Sequence, residues 1–288
     1  MSNGQTVKSN ICCQPLSAAR HTSKKKWGQN FLVDENILQK IVNTANLEPT
    51  DSVLEIGPGI GSLTQKLAEK AKVVTAVEID ARLLSVLQAT LADYDNVYLV
   101  HQDAMDFDWR AHCSQKPVKL VANLPYNVAT PLFYRWLKEY RDCFSLFVCM
   151  VQKEVAKRIV AHPGGKEYGS LTVLCQYAGR CEIAFNVSRT VFFPRPEVSS
   201  AVVKITPAVN PRYDVGDESF FFRLVDAVFS QRRKTLFNTL HAALPFSKEE
   251  LAEAGAATGI DLSRRGETLS VEEFALISRL LYTRSCGI

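Results

Sequence analysis

From Ser52 onward the chain alternates short, nearly unbroken apolar runs with longer stretches whose apolar residues recur at helical spacing. The runs at 52–56, 73–78, 97–101, 118–122 and 143–151 predict strands. Between them, 62–70, 80–92, 128–139 and 152–161 predict amphipathic helices. Strands apolar on both sides need cover above and below, so the pattern reads as α/β, a parallel sheet with helices on both faces. Upstream, Asp34 stands as an N-cap before Ile37, Leu38, Ile41, Val42 and Ala45, one helix face that ends before Pro49. Downstream, a helix around 168–178 leads into strands at Cys181–Val187 and Val198–Thr206. No helical pattern separates those two, so they are expected to pair antiparallel. Phe192-Phe193-Pro194-Arg195-Pro196 between them is expected to be an extended loop.

Pro207 to Gly216 is polar and holds two prolines, which marks a boundary. Beyond it the pattern is helical only, with Phe221, Leu224, Val225, Val228 and Phe229 on one stripe. Arg232 would continue that stripe, so the helix stops there or meets a polar partner. The expected organisation is a disordered tail over 1–23, an α/β domain over 24–207 and a small all-helical domain over 208–288. Residues 1–23 lack acidic residues, and Arg20 is their one arginine, which suits a disordered tail better than a transit peptide.

Composition changes this picture little. At 288 residues, 47% hydrophobic and 22% charged, the chain suits a soluble globular protein. No run reaches transmembrane length, so no membrane partner is expected. The eight cysteines form no C-x-x-C pair and several sit in apolar runs. They read as reduced thiols in a cytoplasmic setting, without zinc. The five histidines are scattered, and no metal-ligand or Ser-His-Asp pattern appears. A net charge of +4 is mild, so nucleic-acid binding must be argued from clusters. These are Lys24-Lys25-Lys26, Arg232-Arg233-Lys234 and Arg264-Arg265. Any one alone would be a solvated face; three together favour a phosphate-contacting surface.

The chemistry gathers at strand ends. Gly57-Pro58-Gly59-Ile60-Gly61 follows the first run and opens a helix. The position of the last glycine in the dinucleotide fingerprint is Ser62 here, and Glu55-x-Gly57-x-Gly59-x-Gly61 resembles the first motif of class I S-adenosylmethionine methyltransferases. Glu78 ends the next strand, placed for ribose hydroxyls. Asp103 follows the third and is either an acceptor for an adenine amine or a turn aspartate. The fourth ends in Asn123-Leu124-Pro125-Tyr126-Asn127. An exocyclic base amine is a poor nucleophile because its lone pair is delocalised into the ring. The Asn123 side-chain oxygen and the Leu124 carbonyl, presented by the extended backbone that Pro125 imposes, can accept its two hydrogens. Tyr126 can stack on a flipped base. Phe192 either stacks from the other side or is a core aromatic.

The segments Lys26-x-Gly28-Gln29-Asn30-Phe31-Leu32, Glu55-x-Gly57-x-Gly59, Val77-Glu78-x-Asp80, Gln102-Asp103-Ala104, Asn123-x-x-Tyr126-Asn127, Phe192-x-Pro194-x-Pro196-x-Val198-x-Ser200 and Gln231-Arg232-Arg233-Lys234-Thr235 occur in that order. Together they resemble the ribosomal RNA adenine dimethyltransferases, most closely the bacterial small-subunit (KsgA/RsmA) family. The resemblance runs from about Lys24 to Leu281. It implies a class I, Rossmann-like methyltransferase sheet with a helical RNA-binding domain. It implies methyl transfer from S-adenosylmethionine, leaving S-adenosylhomocysteine, to N6 of two adjacent adenosines in the 3′-terminal hairpin of 16S rRNA. The partner it implies is a pre-assembled small ribosomal subunit, met by a monomer late in assembly. Cofactor contacts are implied at Asn30, Leu32, Gly57, Glu78, Asp103 and Asn123. Base handling is implied at Asn123, Leu124, Pro125, Tyr126 and Phe192, and RNA binding at Lys25, Lys26, Arg232, Arg233 and Lys234. Three other readings stay in view: an erythromycin-resistance type acting on large-subunit rRNA, an assembly or transcription factor without the chemistry, and a small-molecule methyltransferase. The intact Gly57, Glu78, Asp103 and Asn123–Tyr126 weigh against the second.

Overall fold

The structure, a computed structural model, describes residues 30–113, 117–210 and 212–286. The expected tail, Lys25 and Lys26 lie outside these residues. The first described elements are β1 (Phe31–Leu32), α1 (Glu35–Ala45), β2 (Ser52–Ile56), α2 (Ser62–Ala68), β3 (Val73–Glu78), α3 (Ala81–Thr90) and β4 (Val97–His101). Then come α4 (Trp109–Cys113), β5 (Val118–Asn123), α5 (Ala129–Glu139), β6 (Phe144–Gln152), α6 (Lys153–Ile159), α7 (Ser170–Ala178) and β7 (Gly179–Val187). The last are β8 (Phe192–Phe193), β9 (Ser200–Pro207), α8 (Glu218–Ser230), α9 (Leu236–Ala243), α10 (Lys248–Thr258) and α11 (Val271–Ser285).

Among the described residues, seven strands form one sheet in the order β4-β3-β2-β5-β6-β9-β7. Strands β2 to β6 run parallel, and β9 runs antiparallel between β6 and β7, as the missing helix between the last two long strands predicts. Strand periodicity sorts the core into two layers. Val53, Val121, Val148 and Val202 face α1 and α2, where Leu38, Ile41, Leu63 and Leu67 cover them. Their neighbours Leu54, Leu120, Phe147 and Val203 face the opposite layer with Leu132, Phe133 and Leu171. The expected cap holds: the Asp34 carboxylate accepts from the Ile37 N–H at 3.0 Å, satisfying an orphan donor of α1.

The opposite layer continues without a break into α8–α11. Phe221, Leu224, Phe274 and Ile277 belong to the same apolar cluster as Phe147 and Leu171. Helix α7 is the joint: the Tyr177 ring lies 4.7 Å from that of Phe221, and its hydroxyl donates to Glu218 at 2.8 Å. No described helix is long and apolar enough to cross a membrane.

Three features depart from the sequence reading. The loop expected at 192–196 begins as a strand, β8, which pairs antiparallel with β1: Phe31 opposes Phe193 and Leu32 opposes Phe192. The short helix α4 carries Trp109 into the core and has no periodic signal of its own. Cys113 and Cys143 are joined as a disulfide, with Cα atoms 5.3 Å apart, so the expectation of thiols throughout is corrected at this pair. The packing of α4 beside the turn before β6 brings them together, and a separation of 30 residues leaves no local motif. Cys149, Cys175, Cys181 and Cys286 are free thiols.

Candidate active site

The chain moves outward from β2 to β3 and β4, then crosses back to β5 on the other side of β2. That reversal opens a crevice at the carboxyl ends of β2 and β5, where open α/β sheets bind ligands. Gly57 and Asn123 stand on its two sides. Asn30, Leu32, Gly57, Glu78, Asp103, Asn123, Leu124, Pro125 and Tyr126 all line one cleft there. Phe192 does not. It is 5% exposed and packs with Leu32 and Leu38 in the apolar layer behind the cleft.

The glycine turn shapes the cleft floor. Gly59 has φ +63°, and a Cβ there would lie 3.0 Å from Phe31 Cδ1, so backbone conformation and ring contact both select glycine. Glu78 is buried; its carboxylate accepts from the Gly59 N–H at 3.3 Å and the Asp80 N–H at 2.9 Å. Burial raises its pKa, while the bonds from Asp80 and Gly59 pull the other way. Asp103 accepts from the Met105 N–H at 2.8 Å, the turn role weighed above, and still borders the cleft. Glu55, named only as part of a motif in the sequence, also lines it. It is 1% exposed, and its Oε2 has no partner among the described residues. Burial pushes its pKa up to about 8; Thr64 partly offsets this and the Glu78 charge adds to it.

The loop after β5 is held at both ends. The Asn123 Nδ2 donates to the Asn30 carbonyl at 3.2 Å. The Leu124 N–H donates to the Met150 carbonyl at 3.1 Å, and no described donor occupies the Leu124 carbonyl. The Pro125 ring sits under Gly57, 3.5 Å from where a Cβ would stand. The Tyr126 hydroxyl and the Ser200 hydroxyl are 2.7 Å apart. Burial raises the Tyr126 pKa and this hydrogen bond lowers it. Ser200 is fully buried at the start of β9, and its part in the loop was not legible in its motif. The arrangement thus offers an oriented side-chain amide, an open main-chain carbonyl and an anchored ring at one rim, with buried acids opposite.

A sequence model of the family described as "Ribosomal RNA adenine dimethylase" matches residues 20–282. The chain belongs to the ribosomal RNA adenine dimethylase family. A relative from Clostridium botulinum (strain Loch Maree / Type A3), named ribosomal RNA small subunit methyltransferase A, is 49% identical over 259 residues, covering 90% of this chain and 94% of its own. A protein of the same name from Geobacillus kaustophilus is 48% identical over 266 residues, covering 90% of each chain. The crystal structure of a dimethyladenosine transferase from Plasmodium falciparum superposes with a TM-score of 0.74 at 27% identity, over 88% of this chain and 98% of the other. That of the 23S rRNA methyltransferase ErmE gives 0.67 at 27% identity, over 87% and 99%.

In this member of the rRNA adenine dimethylase family the basic clusters of the sequence are placed differently by the fold. Arg233 and Lys234 are exposed after α8. Arg232 is half-exposed but already partnered within the protein: it donates to the Lys166 and Tyr168 carbonyls at 3.1 and 3.3 Å and pairs with Glu267 at 3.4 Å. Both outcomes foreseen for Arg232 occur, since α8 ends at Ser230 and the guanidinium meets polar partners. Arg264 is likewise tied, to Thr268 and Glu273. A second groove, missed in the sequence, gathers Lys153, Lys157, Arg158, Lys166 and Arg232, with Glu154 and Glu167 among them. Gln152 and Ser199 also line it, and Gln152 pairs in register with Ser200. The groove therefore adjoins the anchor of Tyr126. Its residues come from four segments, so no single stretch of sequence displays it.

Proposed function

We propose that this chain transfers methyl groups from S-adenosylmethionine to N6 of two adjacent adenosines in the 3′-terminal hairpin of small-subunit rRNA, giving dimethyladenosines. The observation that carries the reading is the Asn123 amide, tied to the Asn30 carbonyl through its nitrogen and so presenting its oxygen as an acceptor beside the open Leu124 carbonyl. The relatives at 48–49% identity are small-subunit enzymes by name, which favours that substrate over the large-subunit one. The similarity to ErmE in shape favours shared chemistry, not a shared substrate.

The cleft fits an S-adenosyl group. Its floor leaves no space for a Cβ at Gly59, a buried Glu55 oxygen without a partner suits a cationic ligand, and the Glu78 carboxylate stands at the end of the second parallel strand. In this reading Asn30, Leu32, Gly57, Glu78, Asp103 and Asn123 hold it. When bound, it supplies a methyl group on a sulfonium, an already good leaving group. The chain's task is the nucleophile. Asn123 Oδ1 and the Leu124 carbonyl accept the two N6 hydrogens, favouring a pyramidal nitrogen whose lone pair points at the methyl carbon. Tyr126, fixed by Ser200, offers its ring to a base taken out of the RNA stack. With the donor held there, N6 would gain the methyl group and lose one of its protons to solvent, and the donor would leave as a neutral thioether. Phe192 would serve the base indirectly, from behind β1.

The helical part from 208 and the groove containing Lys153, Lys157 and Lys166 hold the RNA backbone in this reading, within a partly assembled small subunit and by a monomer in the cytoplasm. The test uses small subunits from cells lacking their own adenine dimethyltransferase, incubated with methyl-labelled S-adenosylmethionine. Label as dimethyladenosine on two neighbouring adenosines is the expected result. Label on large-subunit rRNA alone would give the resistance-type reading, and subunit binding without label would give an assembly factor.

A further inference from the structure

Strand β1 touches both halves of the cleft. Its Phe31 ring rests on the glycine turn at Gly59. From behind, β8 holds it by antiparallel pairing, and the Val33 N–H donates to the Val191 carbonyl at 3.1 Å. One residue before the strand, the Asn30 carbonyl accepts from Asn123 Nδ2 at 3.2 Å. We infer that the Asn30 main-chain carbonyl is a positioning group for the acceptor amide, and that it is in place only while β1 is seated on the glycine turn. The inference rests on the amine-methylation reading above.

An asparagine amide has two ends of similar shape and opposite polarity. Turned over, Asn123 would aim NH2 at the target amine, donor against donor. Its own torsions do not choose between the two. A carbonyl does, because it only accepts, so the nitrogen is drawn to Asn30 and the oxygen is left for the substrate. Since Asn30 is carried by the strand that roofs the glycine turn, the methyl-donor side of the cleft and the base side are coupled through one hydrogen bond. Phe192 and Phe193 enter this scheme as the backing of β1, which gives Phe192 a role without contact to the base.

The test replaces Asn123→Asp. A carboxylate keeps oxygen acceptors for the amine but cannot donate to Asn30; a protonated carboxyl can. Glu55, Glu78 and Asp103 face the same cleft in both proteins, so the ratio of variant to parent single-turnover rates isolates the new group. That ratio is expected to fall about tenfold from the acid to the alkaline limb through one proton, the loss of one hydrogen bond at the transition state. A ratio that does not change with pH, whether near one or uniformly low, overturns the inference. If Asn123→Asp does not fold, Phe31→Ala decides. At saturating cofactor its turnover is expected several-fold low because Asn30 is displaced, and parental turnover there overturns the inference. A parent protein that methylates nothing overturns the activity and this inference with it.

Discussion

Glu55 carries a proton that the unfolded chain would release. Its pKa rises to about 8 in the fold against 4.5 when unperturbed, mainly because burial penalises the carboxylate. A raised carboxyl pKa means the native state binds the proton more tightly. Its contribution to stability is full below the unfolded value and is lost as pH climbs from about 4.5 to about 8. Glu55→Gln should therefore flatten the decline in stability over that window and be the more stable protein at its upper end. Urea titrations of both proteins at several pH values check this; parallel declines would remove Glu55 as the cause. A cationic ligand beside Glu55 should also expel the proton. Calorimetric titration with S-adenosylmethionine near neutral pH, in buffers of different ionisation heat, should show proton release in the parent and little in the variant. Ser200 acts at the other rim. Ser200→Ala leaves the half-buried Tyr126 hydroxyl without its partner, at about 1 kcal/mol, and should slow turnover several-fold while cofactor affinity stays put. A matched loss of cofactor affinity would point to general damage instead.

At the scale of elements, the long pieces were legible because burial imposes a period. Strands β2, β3, β5 and β6 needed apolar residues on both faces, and α1 needed a stripe, so both stand near where the pattern puts them. The β1–β8 pair was not legible. Two residues per strand make no period, and the partners lie far apart in the chain, so only the finished sheet brings them together. The glycine turn was readable as chemistry, since its spacing declares the turn, but not as a seat for Phe31. That seat makes a prediction. Gly59→Ala places a Cβ 3.0 Å from the Phe31 ring and puts alanine at φ +63°, a left-handed conformation costing about 1–2 kcal/mol. It should weaken S-adenosylmethionine binding about tenfold or more in a direct titration. Unchanged affinity would mean that β1 does not need to rest on the turn.

Over the whole molecule, charge is organised by tertiary contact rather than by runs. The three basic clusters of the sequence looked alike, yet the fold separates their members. Arg264 and the half-exposed Arg232 are bonded to carbonyls and carboxylates of the protein itself, Arg233 and Lys234 are exposed, and Lys153, Lys157 and Lys166 meet Arg232 in one groove from elsewhere in the chain. Arg232 ties the 166–168 turn to the end of α8, so it braces the place where the sheet's helical cover meets the C-terminal helices. An exposed cation that neutralises a phosphate releases counterions and so contributes to the salt dependence of binding; one already engaged by the protein contributes little. The Arg233→Ala, Lys234→Ala double variant should therefore lower the slope of log affinity for small subunits against log salt by about 1.5, at about 0.7–0.9 per phosphate contact. Arg232→Ala should leave that slope nearly unchanged and lower the melting temperature instead, because it removes two bonds to carbonyls and one ion pair. Binding isotherms at several salt concentrations, run beside thermal melts of each variant, separate the two effects. If Arg232→Ala shifted the slope as strongly as the double variant, the guanidinium would be leaving its carbonyls for the RNA, and the brace would be a switch.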